Sequence, residues 1–508
     1  MLLWFVIIYW IISVGIGLYA SLRVHNTKDF AIAGRHLPFY MVTATVFATW
    51  FGSETVLGIP ATFLKEGLHG VVTDPFGASM CLILVGLFFA APLYRMNLLT
   101  LGDFYKKRYG RSVEVLTTLA IVISYLGWVG AQITALGLVF NVVSNGEISR
   151  LAGMWIGSIT ILIYTFFGGM WAVAITDFLQ MIIIVIGMLY IGNELSGMVG
   201  GVGTVIEHAR AEGKFEFWPR ADLKEIIAFA AAWMTMMFGS IPQQDVFQRV
   251  QSSKTEKIAV WATVLGGSLY FCFAFVPMFL AYSATIIDPD MVNGLIGTDD
   301  YQLILPRLIM KHAPLFAQVM FFGALLSAIK SCASATLLAP SVTFTENILK
   351  PAMGEMTDRK LLFWMRVVTV SFTFLVTLYA VFSKESIFKM VENAYQVTLV
   401  AAFVPLTCGV YWRRATNQGA LVSIFCGLAV WIAVLIAGGE DPFLPAQFAG
   451  LLASIAGMIA GSLAPQYVHH DPMIHDALRH GHHAAAATYH VGPHGHPPHA
   501  AGQHEAST

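Results

Sequence analysis

Residues 45–60 read Thr45-Val46-Phe47-Ala48-Thr49-Trp50-Phe51-Gly52-Ser53-Glu54-Thr55-Val56-Leu57-Gly58-Ile59-Pro60. They lie in an apolar run over 38–64, long enough to cross about 30 Å of hydrocarbon as a helix. Gly52, Gly58 and Pro60 nevertheless weaken that helix, and hydroxyls and a carboxylate sit among them. A carboxylate at membrane depth needs a partner or water. A helix broken there offers free carbonyls to a cation and free N–H groups to an anion. One such kink would be ordinary packing, but Phe238-Gly239-Ser240-Ile241-Pro242-Gln243-Gln244-Asp245-Val246-Phe247-Gln248-Arg249 again joins Gly and Pro to a polar run. Two interrupted helices in corresponding places are the pattern of an inverted repeat that breaks around one central site. Asp245 also has a plainer reading as the end of a span, since Arg249 and Lys254 follow.

The rest of the chain fits a membrane protein. Of 508 residues 57% are hydrophobic and 12% charged, against about a quarter charged in soluble domains. Apolar runs predict about thirteen transmembrane helices, near 2–22, 38–64, 74–96, 113–144, 150–168, 172–193, 225–247, 257–285, 313–349, 360–382, 387–411, 417–438 and 445–465. The expected class is therefore an all-α membrane protein, because a β-barrel would show short segments of alternating polarity. The first run lacks a basic leader and a cleavage pattern before Arg23, so it reads as a helix with no soluble domain ahead of it. The expected organisation is a first helix and loop over 1–37, five-helix repeats over 38–224 and 225–412, two further helices over 413–467 and a tail over 468–508.

Basic connections carrying Arg23, Lys28 and Arg35, then Lys106, Lys107, Arg108 and Arg111, then Arg249, Lys254 and Lys257, then Lys350, Arg359 and Lys360, then Arg413 and Arg414 alternate with acidic loops at Asp288–Asp300 and at Glu440 and Asp441. The positive-inside rule puts the basic side in the cytoplasm of a plasma or inner membrane, with the N-terminus outside and the C-terminus inside. The tail holds 11 of the 16 histidines. It cannot bury a core and is expected to be disordered, with donors for weak Zn, Ni or Cu binding. Cys81, Cys272, Cys332, Cys408 and Cys426 fall in predicted spans without metal-like spacing. A net charge of -1 gives no basic surface for nucleic acid.

A third polar stretch, Ser327-Ala328-Ile329-Lys330-Ser331-Cys332-Ala333-Ser334-Ala335-Thr336, falls in the ninth predicted span. Ala328, Ser331 and Cys332 share a helix face, where small residues let a neighbour approach. Lys330 does not fit a packing stripe; in the interior it must snorkel, pair with an acid such as Glu54, or lose its proton.

With these residues the sequence resembles the sodium:solute symporter family over about 1–465, through Ala33-Gly34-Arg35, Ala48-Thr49-Trp50-Phe51-Gly52, Gly168-Gly169-Met170 with Asp177 and Gln180, Gly239 to Arg249, and Ser327 to Thr336 leading to Glu346 and Asn347. The resemblance implies a LeuT-like fold of two inverted five-helix repeats, alternating access, and a sodium site between the second and ninth spans. Its ligands would be the carbonyls of Ala48, Phe51 and Ala328 and the side chains of Ser331 and Cys332. A thiol is a poor sodium ligand, so Cys332 departs from the paired hydroxyls of the family. Asp177 matches an acidic position associated with cytoplasmic ion exit, against the plainer reading of a carboxylate at a helix start.

Ala48-Thr49-Trp50 and Phe247-Gln248-Arg249 resemble the choline-type members most. Trp50 and Trp128 stand at cage-like positions, where aromatic faces hold a quaternary ammonium. Gln243 replaces an aromatic residue, so Gln243, Gln244 and Glu54 suit an amino acid or small organic acid first and a choline-like cation second. The expected activity is sodium-coupled import of such a metabolite without other cofactors. Proton coupling through Lys330 and Glu54 is the alternative, with Lys330, Asp177 and Asp245 as coupling or gating residues. A sensor is a further class, but only the His-rich tail follows the last span. No Walker A loop points to ATP, and Glu54, Asp177, Asp245 and Lys330 are too sparse for an enzyme's reaction centre.

Overall fold

The computed structural model describes residues 2–437, 439 and 442–468, and these are helical throughout apart from turns and one isolated bridge between Leu37 and Ser253. Glu440, Asp441 and the tail from His469 onward lie outside the described residues. The main helices are Leu2–Arg23 (α1), Phe39–Trp50 (α2), Ile59–Gly70 (α3), Val72–Arg95 (α4), Arg111–Val143 (α5), Arg150–Met198 (α6), Leu223–Gly239 (α7), Gln244–Ser252 (α8), Glu256–Ile287 (α9), Leu315–Met353 (α10), Asp358–Phe382 (α11), Ile387–Tyr411 (α12), Asn417–Ala437 (α13) and Ala446–Leu463 (α14).

Among the described residues, ten helices are long and apolar enough to span a membrane, or eleven if α7 and α8, bent by 44°, form one span. The shortfall against about thirteen expected spans has a length origin. The segment over 38–64 is divided between α2 and α3, and Arg150–Ile163 is a short apolar stretch at the start of α6. Apolar side chains such as Trp4, Ile11, Phe374 and Ile436 stand exposed around the bundle, where a bilayer would cover them.

Both sequence-level breaks occur. α2 stops at Phe51 (φ -86, ψ 73), and a wide helical turn over Glu54–Gly58 precedes α3. The helix α7 ends at Gly239, and Gln243, extended at φ -92, ψ 137, starts α8. A third break divides α6: its 49 residues would be about 74 Å long if straight, more than twice the hydrocarbon thickness. The non-helical residue is Gly169 (φ 47, ψ -143), where a Cβ would lie 2.4 Å from the carbonyl oxygen of Phe30. Gly169→Ala therefore incurs both the left-handed penalty, about 1–2 kcal/mol, and a backbone clash. The purified variant is expected to melt several degrees below the wild type, measured by thermal unfolding in detergent.

α10 is the central element: every side chain from Ala324 to Thr343 is buried, against α5, α6 and α2. Its small residues allow that crowding. Gly52 lies against it, since a Cβ there would come within 2.8 Å of Cys332 Sγ and 2.7 Å of a Glu54 oxygen. The helix α10 thus passes directly beside the α2 break.

Candidate cation and substrate sites

A helix end leaves its last carbonyls without partners inside the helix, and α2 ends in the protein interior. Side chains take up two of them. Ser331 Oγ on α10 donates to the Ala48 carbonyl at 3.0 Å, and Thr55 Oγ1 to that of Trp50 at 3.2 Å. Ser331 Oγ also lies 2.6 Å from Asp177 Oδ1 on α6, and the other oxygen of Asp177 accepts from Thr45 Oγ1 on α2. Three helices so converge on Ala48, Thr45, Ser331 and Asp177, all fully buried. Hard oxygens with one carboxylate are the donor set that suits a sodium ion.

Of the expected sodium ligands, Ala48 and Ser331 meet here. Phe51 stands at the break with its N–H on the Phe47 carbonyl (2.9 Å), and Ala328 is buried one turn before Ser331. Cys332 Sγ lies 4.0 Å from Glu54 Oε1, on the Gly52 side of α10. Asp177 is no exposed helix-start carboxylate, because it lies inside α6 at 0% exposure.

Beyond the break, Glu54 is 1% exposed. Its carboxylate accepts from Trp128 Nε1 (3.1 Å) and Gln132 Nε2 (2.7 Å) on α5, while Gln132 Oε1 accepts from the Ser53 N–H (2.9 Å). Both of these donors to the carboxylate are neutral. Trp50, Trp128 and Tyr395 of α12 form one aromatic cluster: Trp50 lies edge-on to Trp128 at 5.4 Å and stacked on Tyr395 at 6.2 Å, and Trp128 meets Tyr395 at 5.5 Å. Trp50 Nε1, Tyr395 OH and Ser53 Oγ are buried without a hydrogen-bond partner. Such orphaned groups beside a carboxylate are open to a ligand.

The other candidates separate by role. Gln243 is engaged with Ser124 Oγ (2.9 Å) and Thr398 Oγ1 (3.3 Å), which ties α5 to α12 beside the second break. Gln244 accepts from the Leu101 N–H (2.8 Å) and so holds the short helix Leu101–Arg108. Asp245 is buried in α8 and not at a span's exposed end. Its Oδ1 accepts from Tyr125 OH at 2.6 Å, and Arg249 Nη1 donates to its carbonyl at 2.8 Å. The expected pair of Lys330 with Glu54 is not among the contacts of the described residues. Lys330 points from α10 to α1 instead, donating to Ser13 Oγ with its ammonium 5.6 Å from the Trp10 ring. It sits on the helix face away from Cys332 and Gly52, which fits their positions two residues apart on α10.

Residues 30–427 match the sodium:solute symporter family model. The chain belongs to that family. Human high affinity choline transporter 1 is 25% identical over 465 residues, spanning 87% of this chain and 77% of that protein. The sodium/pantothenate symporter of Escherichia coli (strain K12) is 24% identical over 476 residues, with 90% and 96% covered. A solved structure of a substrate-bound, outward-open Na+-coupled sialic acid symporter superposes with a TM-score of 0.75 at 19% identity, covering 91% of this chain and 96% of that one. As a sodium:solute symporter the chain is a multi-pass membrane transporter that couples import of a solute to sodium, and it is not an enzyme.

Within this symporter, Gln132, Tyr125 and Tyr395 contact the candidate residues Glu54, Asp245 and Trp128 without being singled out by the sequence. The signal existed for two of them: Gln132 is an amide in an otherwise apolar span, and Tyr395 belongs to the polar run Glu392-Asn393-Ala394-Tyr395-Gln396 in another. Tyr125, with no polar neighbours in sequence beyond Ser124, carried none.

Proposed function

We propose that this symporter imports a small metabolite bearing an ammonium group, held with its positive charge at Glu54 and against Trp50, Trp128 and Tyr395. The observation that carries this reading is the Glu54 carboxylate, buried beside three aromatic rings and held by donors that are neutral. A buried charge is costly unless paired, and neutral donors orient a carboxylate without cancelling its charge. The cancelling charge is then the substrate's, with cation–π attraction adding about 0.5–2 kcal/mol per ring face. Amino acids and choline-like cations both satisfy this requirement, whereas organic acids without an amine do not. Tyr395 supplies the aromatic face that Gln243 does not.

The coupling sodium would sit among Ala48, Ser331 and Asp177, at the α2 break, with the Phe51 and Ala328 carbonyls as further ligands. Thirteen crossings follow if α2 with α3, each part of α6, and α7 with α8 count as spans. The two five-helix repeats over 38–224 and 225–412 then each begin with a helix broken at the site. In a plasma or inner membrane the basic loops would face the cytoplasm, with the N-terminus outside and the C-terminus inside.

The test is uptake into proteoliposomes of labelled choline, amino acids and carboxylates, with sodium and proton gradients imposed separately. Sodium-driven accumulation of an amine-bearing compound, competed by other ammonium compounds and not by carboxylates without an amine, is the expected result. Accumulation of a carboxylate alone would remove the ammonium reading, and accumulation driven only by protons would remove sodium coupling.

A further inference from the structure

Between the Glu54 site and a polar cleft lies a carboxylate that the proposed transport mechanism does not use. Asp74 begins α4 in extended backbone (φ -145, ψ 122) and is 2% exposed. Its Oδ1 accepts from Tyr270 OH on α9 at 2.5 Å. The same hydroxyl lies 3.1 Å from Thr55 Oγ1, the residue after Glu54, which in turn reaches the Trp50 carbonyl at 3.2 Å. Asp74 Oδ2 is buried and has no hydrogen-bond partner. Among the described residues no Lys, Arg or His forms an ion pair with Asp74. Its neighbours Val72 and Thr73 line a cleft of about 340 Å³, together with the charged side chains of Lys65, Glu66, Lys389 and Glu392 and with His69.

We propose that Asp74, Tyr270 and Thr55 form a second alkali-cation site, separate from the one at Ala48, Ser331 and Asp177. The donors are a carboxylate and two hydroxyls, hard oxygens of the kind sodium takes. An unpaired carboxylate within the membrane is expensive, and a cation on Oδ2 removes that cost while leaving Tyr270 on Oδ1. Protonation would remove the same charge, and counting bound ions separates the two, because a protonated Asp74 takes up no second ion. A substrate ammonium fits less well, since the Trp50, Trp128 and Tyr395 cluster gathers at Glu54.

Equilibrium binding of radioactive sodium to the purified full-length chain in nanodiscs, without substrate, tests the proposal. Two ions per chain are expected for the wild type, one for Asp74→Asn and one for Asp177→Asn, with both variants checked by thermal unfolding. Tyr270→Phe keeps the charge and is expected to weaken one of the two ions about tenfold; it decides the matter if Asp74→Asn does not fold. A wild type that binds one ion, an Asp74→Asn protein that binds as many as the wild type, or a Tyr270→Phe protein with unchanged affinity for both ions overturns the second site. Loss of an ion in Asp177→Asn but not in Asp74→Asn would leave the first site standing while removing this one.

Discussion

Uptake of an ammonium substrate by Glu54→Gln is expected to fall at least about 100-fold, with sodium binding kept. Gln preserves the side chain's size and can still meet Trp128 Nε1 through its oxygen, so the packing around Gly52 and Cys332 should survive. What it lacks is charge. Removing one partner of a buried ion pair costs about 3–5 kcal/mol, because the other charge is left uncompensated in a medium of low polarity. At 1.4 kcal/mol per tenfold that is roughly 100-fold or more in affinity. The measurement is concentration-dependent uptake in proteoliposomes, paired with sodium binding by the same preparation. Wild-type uptake of an amine-bearing substrate in Glu54→Gln would show that Glu54 does not carry the substrate's charge. Loss of sodium binding together with uptake would mean that the substitution acts through the fold.

For the ion, Asp177→Asn should raise the sodium concentration for half-maximal uptake about 100-fold, whereas Ser331→Ala should raise it about tenfold. The difference comes from what each residue supplies. Asp177 provides the one full negative charge among the oxygens gathered at the α2 end, and its loss falls in the range for a broken buried pair. Ser331 supplies a neutral oxygen, worth about 1–1.5 kcal/mol net. Its removal also leaves the Ala48 carbonyl without its side-chain donor, which partly offsets the loss by freeing that carbonyl for the ion. Sodium dependence of uptake at fixed substrate reads both. Equal effects of the two substitutions would argue that Asp177 orders the helices and does not face the ion.

Lys330 shows how far sequence reasoning about an intramembrane charge reaches. Its cost was plain from position alone, and so was its need for a partner. The partner was not: Lys330 and Ser331 are adjacent in sequence, but successive helical residues point about 100° apart. Ser331 therefore turns to α2 and Asp177 while Lys330 turns to Ser13 and Trp10 on α1. The direction of α1 past this face is set by packing, on which the sequence of α10 is silent.

By itself the sequence determined that this is an all-helical membrane protein and where its helices break. It also placed the polar groups in three stretches, because length, hydropathy and the Gly and Pro effects on backbone are local properties. The motifs spread along most of the chain pointed to the family as well. Only the tertiary structure decided which polar groups meet. Asp177 joins Ser331 and Thr45 across 154 and 132 residues, Glu54 is served by Gln132 and Trp128, and Tyr395 completes the aromatic cluster from a helix outside the family motifs. Gln243 and Gln244, read as substrate contacts, hold Ser124, Thr398 and Leu101. In a membrane the apolar surface of each helix can face lipid or protein equally well, so hydropathy does not say which side turns inward. That choice rests on the fit of small residues and on pairing every buried polar group, and both depend on neighbours far away in the chain.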